Sequence, residues 1–160
     1  MGPKKVILCV DADEQALSVR CLLLDLHGFR VLRAVSSQEA LEVIAARTEV
    51  TTTQRWDTSA TLDLLIAELG MLDANELVRR AKQASPGLPC LITSRTVDAC
   101  PREMLADYFL PKDACGSSVL VDKVRDLVAR KRGPKKRPHV DASVGAALAG
   151  AAVNRPEVAA

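Results

Sequence analysis

Four polar residues each close a short apolar run: Asp11 after KVILCV, Glu68 after the run from Leu62 to Ala67, Ser94 after PCLIT, and Lys112 after the run from Tyr108 to Pro111. Short, largely apolar runs of this kind read as strands buried on both faces. In an open parallel sheet, ligands bind beyond the carboxyl ends of such strands. Two carboxylates, a hydroxyl and an ammonium on one rim can hold a divalent cation, hold a phosphoryl group, or pair with one another.

The segments between the runs must place these groups. From Asp13 the apolar positions change to a spacing of three and four (Leu17, Cys21, Leu24), and the pattern stops at His27 and Gly28, where glycine can take the left-handed cap conformation. Arg30 to Val35 alternates like an edge strand. Ser36, followed three residues later by Glu39, has capping-box spacing and opens a helix through about Ala46. A third helix is expected from about Asn75 to Ala84, stopped by Pro86 and Gly87, and a short fourth from Pro101. A fifth runs from Val119 to about Arg130, with Ser117 or Ser118 as its cap. Five strand–helix repeats imply an α/β fold: a doubly wound (βα)5 three-layer sandwich on a parallel sheet. Residues 1–130 suffice for it. Residues 48–61 read as an extended loop within that domain, and residues 131–160 as a basic, then Ala/Gly/Val-rich, disordered tail.

The chain has 160 residues, 48% hydrophobic and 26% charged, which fits one ordinary core. No apolar run approaches the roughly 20 residues of a membrane span. The five cysteines are odd in number and lack Cys-x-x-Cys spacing, so neither a disulfide framework nor a zinc site is indicated, and a cytoplasmic location fits. Residues 131–160 carry six basic against two acidic residues. This leaves 16 basic and 18 acidic in residues 1–130, a body of −2 with no general footprint for nucleic acid.

The segments ILCVDADE, DLLIAEL followed by Gly70 and Met71, LPCLITS and DYFLPK, taken in order, make the chain resemble the receiver domains of two-component response regulators from Lys4 to about Arg130. The resemblance implies a flavodoxin-like sheet of order 2-1-3-4-5. It also implies an aspartate at the end of strand three that accepts a phosphoryl group from a histidine kinase, with Mg2+ held by that aspartate and an acidic pair after strand one. Ser94 and Lys112 match the phosphate-contacting hydroxyl and lysine of the family, and Phe109 its aromatic switch residue. At the phosphoacceptor position this chain has Glu68, and the acidic pair reads Asp11-Ala12. Both departures fall on one reaction: the longer side chain displaces the nucleophile, and a displacement near 1 Å can cost on the order of a hundredfold in rate. Asp13 is a substitute metal ligand or, at the start of a helix, a cap. The separation of Ser94 and Lys112 shortens helix four by about a turn relative to the family, and Asp113 stands in place of the usual proline.

The expected function is that of a stand-alone receiver-like domain in a two-component or phosphorelay system. It acts as a pseudo-receiver through phosphorylation-independent protein contact, with Glu68 reaching toward Lys112 and Ser94. The partner expected is a histidine kinase or another signalling protein, and Mg2+ binding is in doubt. The alternative is an active single-domain regulator that still accepts a phosphoryl group at Glu68, Asp11 or Asp73. An enzyme of another class has little to draw on, since no Gly-rich phosphate loop follows strand one and His27 and His139 are isolated. Trp56, the only tryptophan, is either a partner anchor or an edge-packing residue. Lys131, Arg132, Lys135, Lys136 and Arg137 could contact a polyanion weakly, or simply solvate the tail.

Overall fold

A computed structural model describes residues 2, 4–53, 61–68, 70–71, 73–95, 104–112, 116–129 and 139–140 of the chain. The elements follow in the order β1 (Val6–Val10), α1 (Glu14–Leu26), β2 (Arg30–Ala34), α2 (Ser37–Thr53), β3 (Leu64–Glu68), α3 (Ala74–Ala84), β4 (Cys90–Ser94), β5 (Tyr108–Pro111), α4 (Ser117–Ala129) and β6 (His139–Val140). All strand pairs are parallel, and the sheet order is β2-β1-β3-β4-β5, the expected 2-1-3-4-5, with the two-residue β6 beside β5. The short helix expected from Pro101 falls largely outside the described residues, and residues 104–107 are not helical.

Strand side chains alternate between two faces, and the sheet divides its apolar residues accordingly. One row, with Leu8, Leu65, Ile92 and Phe109, packs against α2 and α3 through Ile44, Leu77 and Val78. The other, with Cys9, Ile66, Leu91 and Leu110, packs against α1 and α4 through Leu17, Leu24 and Val124. β1, β3, β4 and β5 are buried along their whole lengths, whereas β2 at the sheet edge is half exposed. Cys9, Cys21 and Cys90 are free and buried within this core, and burial pushes the Cys90 thiol up to about 12.

The helix ends carry the signals that the sequence shows. The Asp13 carboxylate accepts the Gln15 and Ala16 amides at 3.0 and 3.1 Å, and Gly28 closes the α1 turn at φ 89°. Ser36 Oγ accepts the Glu39 amide at 3.2 Å, while the Glu39 carboxylate reaches back to the Val35 amide at 2.8 Å. α2 departs from expectation by continuing through residues 48–53, the first part of the segment read as a loop. Thr and Val are weak helix formers, but residues 48–53 contain no Gly or Pro to stop the helix, and a polar composition alone does not end one. Residues 54–60, with Trp56, lie outside the described residues, as do Lys131, Arg132, Lys135, Lys136 and Arg137.

Ile66 is fully buried in the central strand, and Leu22, on the outer side of α1, is 62% exposed. Ile66→Ala is therefore expected to lower unfolding free energy by about 2–5 kcal/mol in urea titration. Leu22→Ala should change it by less than about 0.5 kcal/mol. Equal losses in the two variants would contradict the layer assignment.

Candidate functional site

Strand parity selects which rim residues meet. The row facing α1 runs Ile7–Cys9 in β1, Leu64–Ile66 in β3, Leu91 in β4 and Tyr108–Leu110 in β5. Two residues further along each strand this row arrives at Asp11, Glu68, Thr93 and Lys112. The registers align them, since Val10 lies opposite Ala67 and Glu68 opposite Thr93.

Lys112 Nζ lies 2.5 Å from Glu68 Oε2 and 3.2 Å from Asp11 Oδ2. Thr93 Oγ1 donates to Glu68 Oε2 at 3.1 Å. Asp11 Oδ1 accepts the Asp13 amide at 3.0 Å, which fixes the carboxylate against the first residues leading into α1. From α1 itself, Arg20 Nη2 donates to Asp11 Oδ2 at 3.1 Å and lies 4.0 Å from Glu68 Oε2. Asp11, Glu68 and Arg20 are buried, while Lys112 retains a quarter of its side-chain exposure. Two carboxylates and two cations thus form one desolvated, formally neutral cluster at the carboxyl end of the sheet. Such pairs are strongly interdependent, because removing one partner leaves a buried charge uncompensated.

Of the residues singled out in the sequence, Asp11, Glu68 and Lys112 come together. Ser94 is buried one position past Thr93, on the opposite parity, and its carbonyl accepts the Lys112 amide at 2.6 Å. The hydroxyl donating to Glu68 is that of Thr93. Phe109 is fully buried against the α2–α3 side of the sheet. Asp13 caps α1 and pairs with Arg95 at 2.9 Å. Asp73 stands apart from the cluster and accepts the Ser37 hydroxyl at 2.6 Å, joining the starts of α2 and α3.

Two cluster members escaped the sequence reading, and each left a signal. Arg20 lies at helical spacing on the sheet-facing stripe with Leu17, Cys21 and Leu24, all buried, where an arginine requires an acidic partner. Thr93 has the same parity as Leu91, which assigns its side chain to the α1 face.

The rim carboxylates that a magnesium ion would need are already ion-paired. Mg2+ demands an octahedron of oxygen ligands, supplied by carboxylates and retained waters. Here both carboxylates already face a guanidinium and an ammonium, and Ala12 offers no side-chain oxygen. Among the described residues, no group of three or more His, Cys, Asp or Glu side chains is placed to hold a metal.

No family model matches the chain, nor does any curated protein. Solved structures do resemble it. The receiver domain of the hybrid histidine kinase CckA is similar over 77% of this chain and 98% of its own, at 26% identity and a TM-score of 0.57. A CheY-like response regulator receiver domain protein from Methanospirillum hungatei JF-1 matches 78% of this chain and 94% of its own, at 20% identity and a TM-score of 0.60. The response regulator TrrA from Thermotoga maritima, in complex with Mg(2+)-BeF, matches 77% and 98%, at 19% identity and a TM-score of 0.58. The chain has the fold of the CheY-like response regulator receiver domains.

Lys112→Met, which leaves Glu68 without its nearest cation, is expected to cost about 3 kcal/mol in urea unfolding. The double variant Glu68→Gln/Lys112→Met should recover part of that loss, and strict additivity would show that the two side chains are not coupled. The Ala16 and Gln15 amides and the Arg95 charge hold the Asp13 carboxyl below its usual range. A group with a lowered folded-state pKa stabilises above its unfolded pKa and loses that effect as pH falls through the folded value. The stability gap between wild type and Asp13→Ala should therefore be full at neutral pH and close in acid. A gap independent of pH would exclude the carboxylate as its source.

Proposed function

We propose that this chain is a receiver-like signalling domain of the two-component or phosphorelay kind that works as a pseudo-receiver, passing its signal by protein contact without phosphorylation at the strand-three carboxylate. The observation that carries this reading is the engagement of Glu68 Oε2 by Lys112 at 2.5 Å and Thr93 at 3.1 Å. A nucleophilic carboxylate must present a free oxygen in line with phosphorus at near-contact distance. Here Oε2 of the buried Glu68 is engaged by a cation and a hydroxyl. Glutamate is one methylene longer than aspartate, and its Oε2 stands against Lys112. Residues 1–130 form the unit that carries this role, in the cytoplasm.

The contact surface fits the same reading. Val19, Leu22 and Leu26 of α1 are 70%, 62% and 75% exposed and recur at three and four residues, forming an apolar stripe on the helix that also supplies Arg20 to the cluster. An exposed stripe of this spacing suits a helix of a protein partner, a histidine kinase or another signalling protein.

The test is incubation of the full chain with acetyl phosphate and Mg2+, read by intact mass, beside Glu68→Gln and Glu68→Asp. Wild type is expected to show no phosphoryl increment. Glu68→Gln is expected to shift the Lys112 side-chain resonances, because it replaces the partner carboxylate. A phosphoryl increment in wild type that Glu68→Gln abolishes would establish the active single-domain regulator instead.

A further inference from the structure

We infer that the Arg20 guanidinium is a resident cation of the rim, supplying Asp11 and Glu68 with positive charge that a divalent ion would otherwise bring, so that the site is set without metal. This rests on the pseudo-receiver reading and specifies how its fixed state is maintained.

Arg20 comes from the sheet-facing stripe of α1, between Leu17 and Leu24, and is as buried as the carboxylates it faces. Its Nη2 lies 3.1 Å from Asp11 Oδ2 and 4.0 Å from Glu68 Oε2, so it faces the carboxylates of two adjacent strands at once. Lys112 approaches the same two oxygens, at 3.2 and 2.5 Å. With Lys112 alone the pair of carboxylates would retain one negative charge, and Arg20 brings the sum to zero. Arginine stays protonated at any ordinary pH, which makes it a permanent counter-charge where an exchangeable ion would come and go.

A second observation is independent of the charge count. Arg20 Nη1 is buried and has no hydrogen-bond partner among the described residues. Buried polar atoms are seldom left unpaired, and such a donor would be satisfied by a fork-like bidentate pair if hydrogen bonding alone had placed the side chain. Instead Nη2 donates to Asp11 alone, with Glu68 Oε2 4.0 Å away, and Nη1 is left over, the arrangement expected when position near two charges governs. A divalent ion approaching Asp11 and Glu68 meets a guanidinium and an ammonium already there, while Ala12 contributes no side-chain oxygen.

The experiment uses the full chain as wild type, Arg20→Met and Arg20→Met/Ala12→Asp. Mn2+ is the probe, read by paramagnetic broadening of the backbone amides of residues 11–13 and 68, with thermal melting in the presence and absence of Mg2+ as a second readout. Wild type is expected to show no selective broadening at these amides and no Mg2+-dependent rise in Tm. The double variant should gain at least about tenfold in Mn2+ affinity over wild type and melt higher with Mg2+. Saturable broadening in wild type, or folded variants that gain nothing, would overturn the inference. Should the variants fail to fold, the Arg20 guanidinium N–H resonances of wild type decide it: unchanged on Mg2+ addition they support a resident cation, and displaced they exclude it. Metal uptake by wild type without any phosphoryl increment overturns this inference and leaves the pseudo-receiver reading standing. A phosphoryl increment lost in Glu68→Gln removes that reading whatever the metal does.

Discussion

The arrangement of the rim follows from the burial of Asp11. Its carboxylate is 2% exposed at the end of a strand whose other residues are all apolar, and a carboxylate taken out of water must be matched by opposite charge or hydrogen-bond donors. Three groups meet that requirement, each from a different part of the chain. The Asp13 amide comes from the turn into α1, Arg20 from the sheet-facing side of α1, and Lys112 from the end of β5, 101 residues away. The same two cations also face Glu68, which ties β1, β3, β5 and α1 into one electrostatic unit. At 4 Å, two unit charges interact with about 4 kcal/mol at the effective dielectric typical near a protein surface, so such a unit is sensitive to any added charge. Ala12, which adds no carboxylate, and Arg20, which adds a cation, therefore act in the same direction on this unit.

Parallel strands make that convergence possible. Because all of them point the same way, their carboxyl ends lie on one rim, and the two-residue period delivers every second side chain to the α1 face. The period also determines the residues left out. Ser94 and Thr93 are adjacent in sequence and both buried, yet they belong to opposite faces, and the donor to Glu68 is the one sharing parity with Leu91.

Much of this was legible in the sequence because each signal had a local physical cause. Buried strands read as apolar runs, the cap of α1 as Asp13 before its helix, and the turn after it as Gly28, which adopts a positive φ. Asp11, Glu68 and Lys112 were found by their place at run ends. What escaped needed two elements to be considered together. Arg20 is unremarkable in a helix until the helix's apolar stripe is laid on the sheet, and Thr93 looks like part of a strand until parity assigns it a face. The end of α2 escaped for another reason: polarity was read as a stop, whereas the helix runs on to Thr53 through residues free of Gly and Pro. Position 68 was legible as a departure, but the consequence of its extra methylene was visible only once Lys112 stood 2.5 Å away.

Under the proposed reading, a receiver-like domain with such a rim transmits its signal differently from one that is switched. A ligand shifts a two-state equilibrium only by its differential affinity for the two states, and the proposed reading assigns little of it to a cation or a phosphoryl group at a rim whose carboxylates are already paired. Under the same reading Phe109, fully buried in the opposite layer, has no event at the rim to report. Under the proposed reading the variable part of the molecule is its surface, and the exposed Val19, Leu22 and Leu26 lie on the helix that also fixes Asp11 through Arg20. A partner seated on that stripe would press on α1 from outside while the ion pairs hold it from inside. Binding there would be coupled to the rim by mechanical continuity through one helix, with no need for chemistry at Glu68.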